Sequence, residues 1–324
     1  MVSYFVLEGM SARAFSNLCM RMGLMPMSCT LEKERHVSIN RHPEWGSFVK
    51  AFNGIARHRH RYEAFKDFVT MAAISLHNAI HRDEKLEAEY LAIVKRYSRD
   101  EVNEFCGLLG RLVVLLDVEP QDVLGPLYME LELGNNNTGQ FFTPHEISEL
   151  MARLTYDEEL KTLDKPFITV CEPACGAGGM VLAFVKVMLS HGHNPAERLW
   201  VQAQDIDRTA SLMCYLQMAM WHIPGVVIVG NTLAGEVREV FYTPAHYLGF
   251  WRHKLRRRDA EIEATKLVMV EPDDADSQAR QRREVKFEME TMGDTTVATA
   301  ISETEELSPL PPIRGQQLGF DFEL

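Results

Sequence analysis

The sequence predicts an α/β fold, a mostly parallel sheet preceded by a helical region, on three observations. From about residue 46 to 130, apolar side chains recur at three- and four-residue spacing, the period of a buried helix face. From 167 onward, short apolar runs alternate with segments of helical spacing, the rhythm of strands and crossover helices. At the first strand-to-helix junction lies a glycine-rich turn, "EPACGAGG", 172–179.

The chain opens with "MVSYFVLEGMSARAF", which lacks a basic leader and carries Glu8 in its apolar stretch, arguing against a signal peptide. In the helical region Phe48, Phe52 and Ile55, then Phe65, Phe68 and Met71, mark core-facing positions. Ser98 with Glu101 three residues later fits a capping box. The apolar run "CGLLGRLVVLLDV" is interrupted by Arg111 and is too short to span a bilayer. Next come "FITVCE", "MVLAFVKVML", "LWVQAQDI", "RTASLMCYLQMAMW" and "VVIVGN", read as strand, helix, strand, helix, strand, with "EVFY" as the next strand. After residue 259 the pattern dissolves into acidic, polar sequence expected to be disordered. The expected domains are therefore helical 1–130, α/β 131–258 and an acidic tail 259–324.

A hydrophobic share of 46% and a charged share of 25% are those of an ordinary globular chain, and exclude collagenous and wholly disordered classes. Six cysteines without a Cys-x-x-Cys pair suit a reduced, cytoplasmic setting, and no membrane partner is expected. The net charge of −12 does not exclude nucleic acid. Residues 259–324 hold 16 acidic against 6 basic side chains, which leaves the rest of the chain near neutral.

A central strand "ITV" delivers Glu172 and the glycines to the carboxyl edge of the sheet, where open α/β folds bind ligands. Gly176, Gly178 and Gly179 let the backbone turn tightly beside a ligand, and the following helix directs free N–H groups at it. A phosphate-bearing cofactor and S-adenosylmethionine both fit such a turn, as does a tight turn with no ligand. A nicotinamide fingerprint would need glycine where Val181 stands, and a Walker loop would need Gly-Lys-Ser/Thr. Glu172 disfavours phosphate and suits a cationic amine or a ribose hydroxyl.

"EPACGAGGM" resembles the glycine loop of N6-adenine DNA methyltransferases, and "TGQFFTPHEI", 138–147, resembles their Phe-x-x-Pro element. The stretch "DVLGPLYMELELGNNNTGQFFTPHEISELMARL" is similar to the junction between helical and catalytic domains in modification subunits of type I restriction systems. The resemblance covers roughly 120–235 and implies a Rossmann-like S-adenosylmethionine-dependent methyltransferase domain after a helical one, in a bacterial or mobile-element protein. Phe142, Thr143 and Pro144 would then border the cofactor's methionine end. Glu172 and the backbone of Ala174, Cys175, Gly176 and Gly178 would cradle it. Asp205 would bind the ribose hydroxyls, with Asp207 as the alternative or as a helix cap. Asn231 would read the adenine ring or hold an ordinary turn.

The family's Asn/Asp/Ser-Pro-Pro-Phe/Tyr tetrapeptide, which holds a flipped adenine, is absent. By position, Thr243, Pro244 and Tyr247 in "TPAHY" are the candidates for catalysis, with His246 expected in a surface loop. Two outcomes follow: adenine-N6 methyl transfer to DNA, with a specificity subunit reading the sequence, or a catalytically degenerate binding module. Arg252, Lys254, Arg256, Arg257 and Arg258 could contact phosphates or form a solvated helix face. "ARHRHRYEAF" adds Arg57, Arg59 and Arg61. His77 with His81 and His191 with His193 have metal-like spacing without a supporting cluster, so surface positions and no metal are expected. The terminal "GQQLGFDFEL" resembles sliding-clamp motifs imperfectly, the alternative being a tail packed back on the domain.

Overall fold

The computed structural model describes residues 39, 42–55, 57–131, 142–156 and 165–269. The signal-peptide reading, the clamp-like terminus and the acidic segment from 270 lie outside the described residues, as does "TGQF" at 138–141.

Helix α1 (Pro43–Gly54) starts on a proline, with the His42 ring accepting from Glu44 N, and buries Trp45, Phe48 and Phe52. Helix α2 (Arg61–Ile80) is sunk into the core on nearly every side from Ala64 to Asn78. Helix α3 (Glu84–Val94) is capped by Asp83. Helix α4 (Arg99–Leu116) begins with the expected capping box, Ser98 and Glu101 satisfying each other's backbone N–H groups. A short α5 (Leu124–Glu130) follows. All six core positions inferred from spacing are buried. Their rings interlock, Phe48 edge-on to Phe68 at 6.0 Å and Phe68 stacked on Phe105 at 6.1 Å.

Helix α6 (His145–Thr155) leads towards β1 (Ile168–Glu172), and α7 (Gly179–Ser190) with the one-turn α8 (Pro195–Arg198) returns to β2 (Leu199–Asp205). Helix α9 (Arg208–Met220) crosses to β3 (Gly225–Val229). The three strands are parallel and adjacent in the order β1-β2-β3, with Glu172 opposite Ala203 and Asp205 opposite Val229. This is the predicted α/β, Rossmann-like arrangement. Helix α6 packs on α7 and is pinned to it by Lys186, which donates to Glu149 at 2.9 Å. Partial burial would raise the Glu149 carboxyl, but Lys186 and Arg153 overcome it and hold the group down at about 2. Helix α9 packs on α2, so the helical region and the sheet share one core in which Tyr215, His77 and Phe241 meet.

The segment "EVFY" forms the expected next strand, β4 (Glu239–Tyr242), and it pairs antiparallel with β3, Glu239 opposite Val229 and Tyr242 opposite Val226. Only residues 230–238 separate β3 from β4, and a parallel return needs a crossover of about a dozen residues or more. One expectation is corrected: His77 and His246 are core residues rather than surface ones, 5% and 4% exposed. Desolvation lowers the His77 pKa, and the Trp200 indole donates to His246 Nδ1 at 3.0 Å.

After α10 (Pro244–Leu248), helix α11 (Trp251–Met269) runs past the expected boundary at 259. The first compact unit ends at Trp251, and the rest of α11 is the described part of the second. Among the described residues no helix is long and apolar enough to cross a membrane.

Candidate functional site

The carboxyl ends of β1, β2 and β3 lie side by side at one edge of the sheet, and the glycine turn that follows β1 there borders the candidate crevice. Gly176 and Gly178 adopt φ of +52° and +99°, a region that L side chains avoid. A Cβ on Gly178 would meet the Cys214 sulfur at 3.0 Å, and one on Gly176 would meet the Phe142 ring at 3.2 Å. The turn is thus pressed between α9 and the Phe142 segment. Phe142 in turn lies edge-on to Tyr128 at 5.6 Å. Thr143 and Pro144 continue from it as exposed residues, Pro144 ending at the start of α6.

Two carboxylates face this turn. Asp205, at the end of β2, accepts from Gly176 N at 2.8 Å through one oxygen and from Asp207 N at 2.9 Å through the other. Glu172, at the end of β1, accepts from Ala174 N at 3.1 Å. Burial pushes the Glu172 carboxyl up against the stabilising Ala174 N–H, and the neighbouring charge of Asp205 raises it further. Among the described residues neither carboxylate has a cationic side chain for a partner. The strand ends are fixed by backbone bonds, Cys175 N to Gln204 O at 2.8 Å and Gly230 N to Asp205 O at 2.9 Å. Thr232 Oγ1 donates to Pro173 O at 2.6 Å and ties the loop after β3 to the loop after β1.

The structure therefore brings together Phe142, Thr143, Pro144, Glu172, Ala174, Cys175, Gly176, Gly178, Asp205 and Asn231. Asn231 spends its side-chain oxygen on Leu233 N and Ala234 N, at 3.0 and 3.2 Å, so it holds a turn first. Asp207 caps α9 by accepting from Ala210 N at 2.8 Å. The Cys175 thiol is buried, and its hydrogen bond to Cys214 together with desolvation keeps its pKa high.

The sequence pattern of the N-6 DNA methylase family matches residues 121–264, a span that contains every residue of this crevice. That segment is similar to the N-6 DNA methylase family. The methylase subunit of the type I restriction enzyme MpnII of Mycoplasma pneumoniae is 30% identical over 129 residues, 37% of this chain and 22% of that subunit. The chain thus spans under a quarter of that relative's length. Two solved structures share 15% identity with it. One is a class I S-adenosylmethionine-dependent methyltransferase from Listeria monocytogenes, covering 60% of this chain and 55% of its own at a TM-score of 0.34. The other is a type I restriction-modification methyltransferase subunit from Streptococcus thermophilus, covering 71% and 57% at 0.32.

Within the matched segment, Thr243, Pro244 and Tyr247 lie elsewhere. Because β4 runs against β3, Thr243 emerges at the amino edge of the sheet, the edge opposite Glu172 and Asp205. It is fully buried, accepting from Gly225 N at 3.0 Å and donating to Ile223 O at 2.8 Å. Pro244 begins α10, and Tyr247 stacks on His81 at 5.3 Å. These three residues close the far end of the sheet and are removed from the candidate site. On α11, Arg257 pairs with Glu261 and Arg258 with Asp259, at 2.8 and 2.7 Å, while Arg252 and Arg256 are exposed and Lys254 half-buried.

Sequence reasoning missed Gln217 and Asp122. The Gln217 side chain accepts from Val123 N at 2.7 Å, and its amide donates to Asp122 Oδ1 at 2.9 Å and to Ala177 O of the glycine turn at 2.7 Å. One fully buried amide therefore joins α9, the start of α5 and the turn. Its signal was present in "SLMCYLQMAMW", a lone polar residue in an apolar helix. Ile206, 59% exposed beside Asp205, also escaped notice. Among the described residues no cluster of three or more His, Cys, Asp or Glu could hold a metal.

Proposed function

We propose that the crevice binds S-adenosylmethionine, and that the chain serves adenine-N6 methylation of DNA together with a partner protein that reads the sequence. The observation that carries this reading is the pair of carboxylates, Glu172 and Asp205, set at a positive-φ glycine turn without a cationic partner among the described residues. S-adenosylmethionine supplies what such a pair lacks: an ammonium and a sulfonium for the acidic mouth, and a ribose diol for a carboxylate with lone pairs to spare. Bound there, it would supply an electrophilic methyl group. Phe142 would border its methionine end, the N–H groups of the turn and of α7 would meet its carboxylate, and Ile206 would give its adenine an apolar wall.

A second reading is favoured by the position of Thr243. Methyl transfer needs a group at the cofactor's edge of the sheet to hold the flipped base, and the positional candidate, Thr243, sits at the opposite edge. On that reading the chain binds the cofactor and acts as a regulatory or assembly module, and any base-holding segment comes from another polypeptide.

Calorimetric titration of the purified chain with S-adenosylmethionine tests the common part. Micromolar binding is expected, and no heat would overturn both readings. A methyl-transfer assay on mixed-sequence DNA, with and without co-purified partner proteins, separates them. Transfer only with a partner supports the first, and silence in both arms leaves the binding module.

A further inference from the structure

A cavity of about 270 Å³ opens between the end of α1 and the start of α2, lined by Phe52, Asn53, Ile55, Arg57, Arg59, Arg61 and Ala64. It lies outside the segment that matches the N-6 DNA methylase family. Three of its seven lining side chains are arginines and none is acidic. Like charges around one hollow repel one another, and Phe52, Ile55 and Ala64 give the cavity a buried apolar wall.

The three arginines are held differently. Arg59 is anchored: its guanidinium lies over the Tyr97 ring at 5.0 Å and donates to Arg96 O at 2.9 Å. Arg61 donates to Asn53 Oδ1 at 2.6 Å, which uses one of its five N–H groups and leaves the rest of the fork free. Arg57 is exposed and makes no ion pair or hydrogen bond to another described residue. The acidic side chains nearby are already engaged or turned to solvent: Asp67 pairs with Arg96, Glu101 with His58, and Glu63 is exposed on α2. Arg61 and Ala64 belong to the first turn of α2, a twenty-residue helix whose amino end adds partial positive charge on the same side.

We propose that this cavity is a phosphate-binding site that holds the backbone of DNA while the crevice works on the cofactor. The guanidinium fork matches a phosphate oxyanion, and a point in a cavity between two helices fixes position without reading bases. The choice of DNA as the source rests on the proposed methylation of DNA, whereas the phosphate chemistry stands on the arginines alone.

The test uses the full chain and a fluorescein-labelled mixed-sequence duplex, with affinity read by anisotropy across a salt series. Arg57 and Arg61 are the positions to change, because Arg59 supports the fold. In the double variant R57A/R61A the affinity is expected to fall about tenfold and the slope of log affinity against log salt to become shallower by about 1.8, the share of two phosphate contacts. The R57K/R61K variant should restore most of the slope. Inorganic phosphate forms a second arm: it should raise the melting temperature of the wild type and not of R57A/R61A. A phosphate response that the double variant loses, with DNA binding unchanged, supports the oxyanion site and assigns it to a free anion. No change in either arm overturns the proposal. S-adenosylmethionine binding by R57A/R61A is measured alongside and should equal the wild type, so that loss of the cavity, loss of the fold and failure of the cofactor reading give different results.

Discussion

Glu172 and Asp205 set the chemistry of the crevice at the scale of single residues, because two carboxylates converge where burial already disfavours charge. A cation relieves both penalties, so removing one carboxylate should cost affinity for S-adenosylmethionine. Glu172→Gln is expected to weaken binding by about 1.5–3 kcal/mol, the range for a hydrogen bond to a charged group, as read by calorimetry at neutral pH. The sign of the pH dependence follows from the raised pKa. Glu172 is ionised above that value and takes up a proton as the pH falls through it, so wild-type affinity should decline at a pH above the ordinary 4.5 of a glutamate. In Glu172→Gln this portion of the decline should vanish. Gly178 is a different kind of residue, required for its conformation. With φ at +99° and a Cβ position 3.0 Å from the Cys214 sulfur, Gly178→Ala should destabilise the fold by about 1–3 kcal/mol in denaturant unfolding. The turn's role was legible in the sequence, since a strand, three glycines and a helix in that order leave few conformations. Asn231 was legible only as an alternative, and the structure gives its oxygen to the turn.

Among elements, α9 decides how the crevice is held. It touches the sheet on one side and α2 on another, and Gln217 reaches from its buried face to both α5 and the glycine turn. Asp122, whose carboxyl burial pushes up, has the Gln217 amide and Gly125 N as its partners. Gln217→Ala would leave Val123 N and Ala177 O without the Gln217 amide and take from Asp122 one of its partners, and a loss of roughly 2–4 kcal/mol is expected. Affinity for S-adenosylmethionine should fall with it, because Ala177 lies in the turn, while Gln217→Glu should fare worse than Ala at neutral pH by setting two carboxylates against each other. Equilibrium unfolding with parallel calorimetry checks both. The helices and the first three strands could be read from period and capping: Ser98 with Glu101, and the aromatic spacing of α1 and α2, needed no tertiary information. The direction of β4 could not be read from its residues, since a four-residue strand has the same pattern in either direction. The information lay in the length of 230–238, too short for a crossover, which residue spacing ignores.

For the whole molecule, the direction of β4 separates two ends of the sheet that the sequence had placed together. The carboxyl edge carries the candidate crevice, and at the amino edge Thr243 bonds Gly225 N, His246 accepts from Trp200 and Tyr247 stacks on His81 just past α2. Burial, which no periodicity reports for an isolated His or Thr, moved His246 from the expected surface loop into the core and made Thr243 a core hydrogen-bonding residue. A substitution that distinguishes the two roles is Thr243→Val, which keeps the volume and deletes the hydroxyl. If Thr243 held a substrate base, the variant would keep its stability and lose activity. In the observed position the hydroxyl satisfies Gly225 N and Ile223 O in the core, so the expected result is a loss of about 2–4 kcal/mol in unfolding free energy. Affinity for S-adenosylmethionine, measured well below the melting temperature, should match the wild type because the length of a strand lies between Thr243 and the crevice. Any methyl transfer that the chain performs with a partner should likewise survive when corrected for the folded fraction. Unchanged stability with abolished transfer would instead return Thr243 to the reacting centre.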